Sequence, residues 1–155
     1  MHYIEVQKKD FDVGYEYQQL VKDNSSDGAV VFFVGRMREF NQGQKVSALT
    51  LEHYPGMTEK ALTDITALAQ KRFSISRCRI IHRVGELSLE DQIVFVGISS
   101  PHRDEAFAAA QFIMDYLKTR APFWKKETTS AGNSIWLDAT ESDAAAAQRW
   151  AQHSD

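Results

Sequence analysis

Lys118, Arg120, Lys125 and Lys126 crowd into one short run of the chain, with Phe123 and Trp124 between the two basic pairs and Glu127 as the lone acid. Pro122 interrupts the run, and a strongly apolar stretch leads into it. Cations beside a helix end, interleaved with rings, suit a flat, anionic ligand. A lysine crowded by other cations or partly stripped of water holds its proton less tightly and can act as acid, base or nucleophile. The plainer alternative is that such lysines extend their stems and leave their charges in solvent. A second basic island, Arg36 and Arg38 with Lys45 against Glu39, favours the first reading.

The charge is unevenly spread. The whole chain of 155 residues carries −3, yet residues 118–127 carry +3 and residues 36–45 carry +2, leaving −8 on the remainder. An acidic body with two basic islands argues against a nucleic-acid binder, which needs a broad basic face, and for a local anion site. Other chemistries lack their residues. No Gly-x-x-x-x-Gly-Lys loop, dinucleotide glycine fingerprint, His-Glu-x-x-His or Gly-x-Ser-x-Gly occurs. His2, His53, His82, His102 and His153 show no ligand spacing, so no metal is expected. The single cysteine, Cys78, lies in an apolar run and reads as a small buried side chain rather than a nucleophile. Neither a signal peptide nor a membrane-spanning run is visible, which makes the cytoplasm the expected location.

These side chains must be held by something. The length fits one domain, 1–155, with a loose tail at 151–155. Period and turn chemistry predict strands over 3–6, 29–34, 46–54, 78–84 and 92–98, and a closing hairpin of 124–128 with 134–137. The run at 29–34 is continuously apolar, as in a strand covered on both faces. Residues 36–45 read as a polar loop, and 85–91 as a short connection. Helices are predicted over 12–22 with Asp12 as cap, from a Thr58 cap to Phe73, from a Ser100 cap to about Thr119, and over 142–152 with Ser142 or Asp143 as cap. Strands and helices alternate without strict βαβ order, so the class is α+β, a mixed or antiparallel sheet with packed helices.

The third helix is apolar nearly all round between Ala106 and Leu117, only Gln111 and Asp115 being polar. Either its own sheet wraps it, or one side meets a second copy of the chain. His102 and Arg103 stand at its start, where backbone N–H groups already attract anions, although Asp104 and Glu105 follow directly. Arg103 and Lys118 are about 22 Å apart along a continuous helix. If both serve one ligand, two copies of this helix must lie roughly antiparallel.

Longer runs carry a resemblance. Leu49-Thr50-Leu51-Glu52-His53-Tyr54-Pro55-Gly56-Met57, Ile81-His82-Arg83-Val84-Gly85-Glu86-Leu87, Ser100-Pro101-His102-Arg103 and above all Met114-Asp115-Tyr116-Leu117-Lys118-Thr119-Arg120-Ala121-Pro122-Phe123-Trp124-Lys125-Lys126-Glu127 resemble the large, catalytic subunit of molybdopterin synthase, the MoaE family. The resemblance implies an α/β hammerhead fold and a homodimer at the centre of a heterotetramer. At each end it implies a small ubiquitin-like sulfur-carrier subunit whose C-terminal Gly-Gly tail enters as a thiocarboxylate. The implied reaction is sulfur transfer to cyclic pyranopterin monophosphate, a pterin phosphate, giving the dithiolene of molybdopterin in molybdenum-cofactor biosynthesis. No cofactor is implied for the enzyme itself. By motif, Lys118 and Lys125 carry over as catalytic residues, and Arg36, Met37, Arg38, His102, Arg103, Lys126 and Glu127 as substrate-binding ones. Some relatives have Arg where this chain has Thr140, which leaves Arg36 as the substitute cation. Two readings of another class remain beside this one: a binding module for an anionic ligand, and a structural homodimer with incidental basic clusters.

Overall fold

The chain folds into two sheets built from separate strands, and the candidate site lies where they meet. A computed structural model of the chain describes residues 2–41, 44–129, 132, 134–137 and 141–151. In chain order the elements are β1 (His2–Gln7), α1 (Val13–Val21), β2 (Ala29–Arg36), β3 (Phe40–Asn41), β4 (Gln44–His53), α2 (Met57–Arg72), β5 (Arg77–Arg83), β6 (Gly85–Ser88), β7 (Gln92–Ser100), α3 (Arg103–Arg120), β8 (Phe123–Thr129), β9 (Ser134–Leu137) and α4 (Glu141–Ala151). The first sheet runs β1-β5-β7-β2, with β1 parallel to β5 and the other pairs antiparallel. The second is antiparallel: β3 and β4 form a hairpin, and β4 is flanked by β6 and by β8, which pairs on to β9. This is an α+β arrangement of packed helices on mixed and antiparallel sheets.

The period of two in the strands decides which helix covers which face. Cys78 and Ile80 of β5 and Val94, Val96 and Ile98 of β7 pack under α2 and α3, against Leu62, Ile65, Phe112 and Ile113. The alternate positions Ile81 and Phe95 face α1, where Leu20 and Phe11 close the layer. Met37, Val46, Leu49, Leu51, Val84 and Leu87 form the core of the second sheet. Ile93 and Phe123 touch both larger clusters and so weld the two sheets together.

Several boundaries differ from the sequence expectation. The run at 29–34 belongs to an edge strand paired only with β7, and Phe32 and Phe33 are 42% and 44% exposed. A continuous apolar run reads the same whether the chain or another surface covers it. Residues 85–91 contain β6, whose partner β4 lies far back in sequence, and the polar stretch at 36–45 contains β3. Strand β7 continues through Ser99 and Ser100, both fully buried, so α3 starts later, with His102 at the cap position. α4 begins at Glu141, which puts Ser142 and Asp143 inside it rather than at its cap. The expected tail overlaps α4 at Ala151; its other residues, and Thr140, lie outside the described residues. Asp12 does cap α1, accepting from the Tyr15 N–H at 2.7 Å.

Thr58 does not cap α2; Gly56 does, at φ 85°, a conformation that suits a residue without a Cβ. Thr58 instead does longer-range work. Its buried hydroxyl accepts from the Tyr54 N–H at 3.0 Å and donates to the Pro122 carbonyl at 3.1 Å, tying the start of α2 to the break after α3. Replacing it by Val leaves the Tyr54 N–H and the Pro122 carbonyl, both part-buried, without that partner. Thr58→Val is expected to cost about 1–3 kcal/mol in urea unfolding; a loss under about 0.5 kcal/mol would show that this bond does not hold the break.

Candidate functional site

Lys118 comes from the last turn of α3 and Lys125 from the third residue of β8, and Pro122 turns the chain between them. Antiparallel pairing sets Lys125 opposite Leu51 and Glu127 opposite Leu49 of β4, so these four side chains share one face of the second sheet. The third contribution comes from the end of β2. A register shift between Gly35 and Arg36 turns the strand off its ladder. A Cβ on Gly35 would stand 2.9 Å from Val94 Cγ1, so the bulge closes this tightly on β7 only with glycine. The following segment is then pinned to the β6–β7 turn. Met37 N–H donates to the Asp91 carbonyl and Glu90 N–H to the Met37 carbonyl, each at 2.9 Å, and Arg36 Nε donates to the Glu90 carbonyl at 3.2 Å.

The result is one cavity of about 230 Å³. Arg36, Arg38, Lys118 and Lys125 supply its positive charge and Glu127 its negative charge; Met37, Val46, Leu49 and Ile93 are its apolar wall. Six of the nine site residues expected from the sequence are therefore brought together here. Lys126 is not among them. It points to the opposite face of β8, its ammonium 5.5 Å from the Trp136 ring centroid. His102 and Arg103 are exposed at the far end of α3, outside the cavity. Neither ring of the basic run lines it: Phe123 stacks on His82 with centroids 3.9 Å apart, and Trp124 is exposed beside Tyr54.

The electrostatics follow from crowding. Part of the Lys118 side chain reaches solvent, yet the surrounding protein displaces enough water to lower its proton affinity; Lys125 lowers it further and Asp143 of α4 opposes both. His82, buried near the end of β5, is held neutral. Burial pushes its pKa down to about 4, and the nearby charges of Lys118 and His53 act in the same direction, against its hydrogen bond to the Arg83 carbonyl at 2.8 Å. With Nδ1 bonded to that carbonyl, Nε2 carries the lone pair of the neutral ring. The sequence places His82 only among histidines without ligand spacing; the sign of more is a polar residue continuing the buried stripe Cys78-Ile80-His82. Burial pushes the Cys78 thiol up to about 12, so it is no thiolate nucleophile. Among the described residues no group of three or more His, Cys, Asp or Glu side chains is placed to hold a metal ion, and no helix is long and apolar enough to cross a membrane.

A cluster of four cations around one carboxylate can hold a poly-anionic ligand. Comparison with known proteins decides the lineage. The family model described as MoaE protein matches residues 6–120. The chain belongs to the MoaE family. Among its MoaE relatives, the molybdopterin synthase catalytic subunit of Vibrio cholerae is 57% identical over 149 residues, covering 96% of this chain and 98% of that one. The catalytic subunit of Escherichia coli K12 is 58% identical over 140 residues, covering 90% and 92%. The solved structure of the molybdopterin biosynthesis MoaE protein from Burkholderia ambifaria superposes with a TM-score of 0.82 at 49% identity, covering 97% of this chain and 99% of that one. The fold expected from the MoaE resemblance is thus the fold observed.

The buried His82 makes a pH-dependent prediction. Its folded pKa, about 4, lies below the ordinary 6.5, so between those values the unfolded chain takes up a proton that the folded one refuses. Stability tied to His82 is complete above pH 6.5 and falls as the pH drops through this window. Chemical denaturation at pH 7 and pH 4.5 should show a smaller stability loss in His82→Phe, which keeps a ring against Phe123, than in the parent. Equal losses would mean that the folded state does not hold the imidazole neutral.

Proposed function

We infer that this chain is the catalytic subunit of a molybdopterin synthase, a sulfurtransferase of molybdenum-cofactor biosynthesis. Sulfur arrives as the C-terminal thiocarboxylate of a small ubiquitin-like partner and passes to cyclic pyranopterin monophosphate. The observation that carries this reading is the convergence of Arg36, Arg38, Lys118 and Lys125 on one cavity, within a chain whose relatives are named catalytic subunits of that enzyme. Both reactants are anionic, so each needs cations, and neither needs a thiol from this chain. A cytoplasmic setting fits this chemistry.

The roles follow from position. Lys118, with its weakened hold on a proton, sits beside the thiocarboxylate and moves protons as its sulfur bonds to the pterin side-chain carbon in place of an oxygen, after which water cleaves the acyl carbon–sulfur bond and leaves the tail as a carboxylate. Lys125, on the strand facing it, binds the substrate and takes part in proton transfer. Arg36 and Arg38 hold the phosphate through paired N–H donors, and Glu127 orients the cations around it. Met37, Val46 and Leu49 give the pterin an apolar wall. Lys126, turned to the opposite face of β8, has no part in this cavity.

His102 and Arg103 reach this site from a second copy. α3 presents Phe107, 63% exposed, to solvent, and Phe107 and Met114 line an apolar groove with Val31, Phe32 and Phe33 of the edge strand β2. An antiparallel α3 from a second subunit covers that groove and carries its own Arg103 over the helix length of about 22 Å to the first subunit's Lys118. The enzyme is then a homodimer with a small subunit at each end, and each site is shared.

Two experiments test this. With thiocarboxylated small subunit and cyclic pyranopterin monophosphate, Lys118→Ala should lower dithiolene formation by roughly 100-fold or more while still binding the small subunit; parental yield would remove Lys118 from the chemistry. Mixing Lys118→Ala with Arg103→Ala subunits, each inactive alone, should restore about a quarter of parental activity, because random pairing leaves one intact site in half the dimers. No recovery on mixing would place the whole site within one chain.

A further inference from the structure

Helix α4 docks on α3 through one face. Asp143, Ala147 and Trp150 follow one another at helical spacing, and Ala147 is buried against the main core. Trp150 sets its ring edge-on to Phe112 at 5.4 Å and to Phe73 at 5.9 Å. Its indole Nε1 donates to Asp115 Oδ2 at 2.6 Å, and Arg149 donates to the same oxygen at 3.2 Å. Gln111 Nε2 donates to Asp115 Oδ1 at 2.9 Å. Asp115 is 6% exposed, and a carboxylate so deeply placed is tolerable only with such donors around it. From α2, Arg72 donates to the Trp150 carbonyl at 2.9 Å, closing the clasp from the other side.

The clasp fixes a register. Asp143 precedes Trp150 by two helical turns, about 10 Å, and Lys118 follows Phe112 by about 9 Å along α3. With Trp150 held over Phe112 and Asp115, and the helices running in opposite directions, Asp143 falls beside Lys118. The two side chains do line one cavity, about 400 Å³ in volume, on the side of α3 away from the cationic pocket. Lys118 lines both cavities and stands in the wall between them. The charged and titratable groups around it can be named element by element. Among the described residues, β8 brings Lys125 and Glu127, the end of β2 and its following segment bring Arg36 and Arg38, β5 brings neutral His82, and α4 brings Asp143; in the shared site proposed above, the second copy's α3 adds Arg103. Asp115, on its own helix, is already taken by Trp150, Arg149 and Gln111.

We propose that Asp143 is a positioning residue, the counter-charge of Lys118 on the apolar side of the wall, delivered there by the Asp115–Trp150 clasp, so that the C-terminal helix is part of the reaction centre. This rests on the reading of Lys118 as the reacting lysine. Without Asp143, the charges left around the ammonium among the described residues are its cationic neighbours and Glu127, and it surrenders its proton at lower pH. The field of Asp143 on Lys118 acts in that sense, against desolvation and Lys125.

The test uses the full chain with its thiocarboxylated small subunit and three variants: Asp143→Asn, Asp143→Glu and Trp150→Phe. The first readout is the pH at which Lys118 is half-acylated by an amine-selective reagent, measured by peptide mass spectrometry with exposed Lys9 as the internal reference. The midpoint for Lys118 should fall in Asp143→Asn, stay near the parental value in Asp143→Glu, and fall in Trp150→Phe, which keeps the ring and loses the indole donor. The Lys9 midpoint should not move. The second readout is the pH profile of kcat for dithiolene formation, whose Lys118 inflection should shift with the acylation midpoint. An unchanged Lys118 midpoint in Asp143→Asn overturns the proposal. A midpoint that falls while the kcat profile stays in place supports the pairing and overturns instead the assignment of Lys118 to the chemistry.

Discussion

Everything at the site depends on one interruption. Proline has no N–H to donate and its ring blocks the preceding turn, so α3 ends just before Pro122 and the chain leaves as β8. That places a helix-end lysine and a strand lysine across one cavity, a separation that neither element alone would hold. The break is fastened at two points. The Thr58 hydroxyl holds the Pro122 carbonyl, and the His82 ring lies flat on Phe123. The first fastening comes from the helix that follows the second sheet's long strand, the other from the first sheet, so the geometry of the lysines reports the relative placement of both sheets.

The site carries an internal conflict that its substrates resolve. Four cations and one carboxylate line a small cavity, and like charges this close raise the energy of the empty state. The fold tolerates this because the strain is local and the apolar clusters on either side are continuous. In the proposed function, a phosphate and an acidic tail relieve it on arrival. Binding energy gained this way is strongest for ligands with negative charge at the right places, which is a source of selectivity. The neutral state of His82 belongs to the same design: a charged imidazole near Lys118 would add a further like charge.

Much of this was legible from residue order, and the failures share a cause. Helix α3 and strands β5 and β7 are legible as apolar runs of the right length between turn signals, and the Asp12 cap is a local signal that proved right. Thr58 and Ser100 have the chemistry of caps but serve elsewhere, because a buried hydroxyl is also wanted wherever a carbonyl such as Pro122 or Ser74 needs a donor. β6 is four residues long and is a strand only because β4 lies beside it. The two basic islands pointed to an anion site, yet their meeting depends on β4–β8 register and on the Gly35 bulge, neither of which any local pattern encodes. Lys126 shows the reverse limit. It shares its neighbours' sequence motif, but the strand period turns it away from them. His82 and Asp143 matter through partners distant in the chain, and their own surroundings in sequence give no sign of Lys118.

The pairing of β4 with β8 also sets a timetable. Leu51 of β4 faces Lys125 of β8, and everything from α2 to α3 lies between them in the chain. As the protein emerges from the ribosome, β6 can cover one edge of β4 early, while the other edge stays open until β8 follows. The cationic cavity is therefore among the last parts of the molecule to exist, since its walls come from both ends of that interval. A nascent or truncated chain that stops before β8 already has its first sheet but has neither Lys125 nor the strand that faces Lys118, so anion binding reports on completion of the fold rather than on its beginnings.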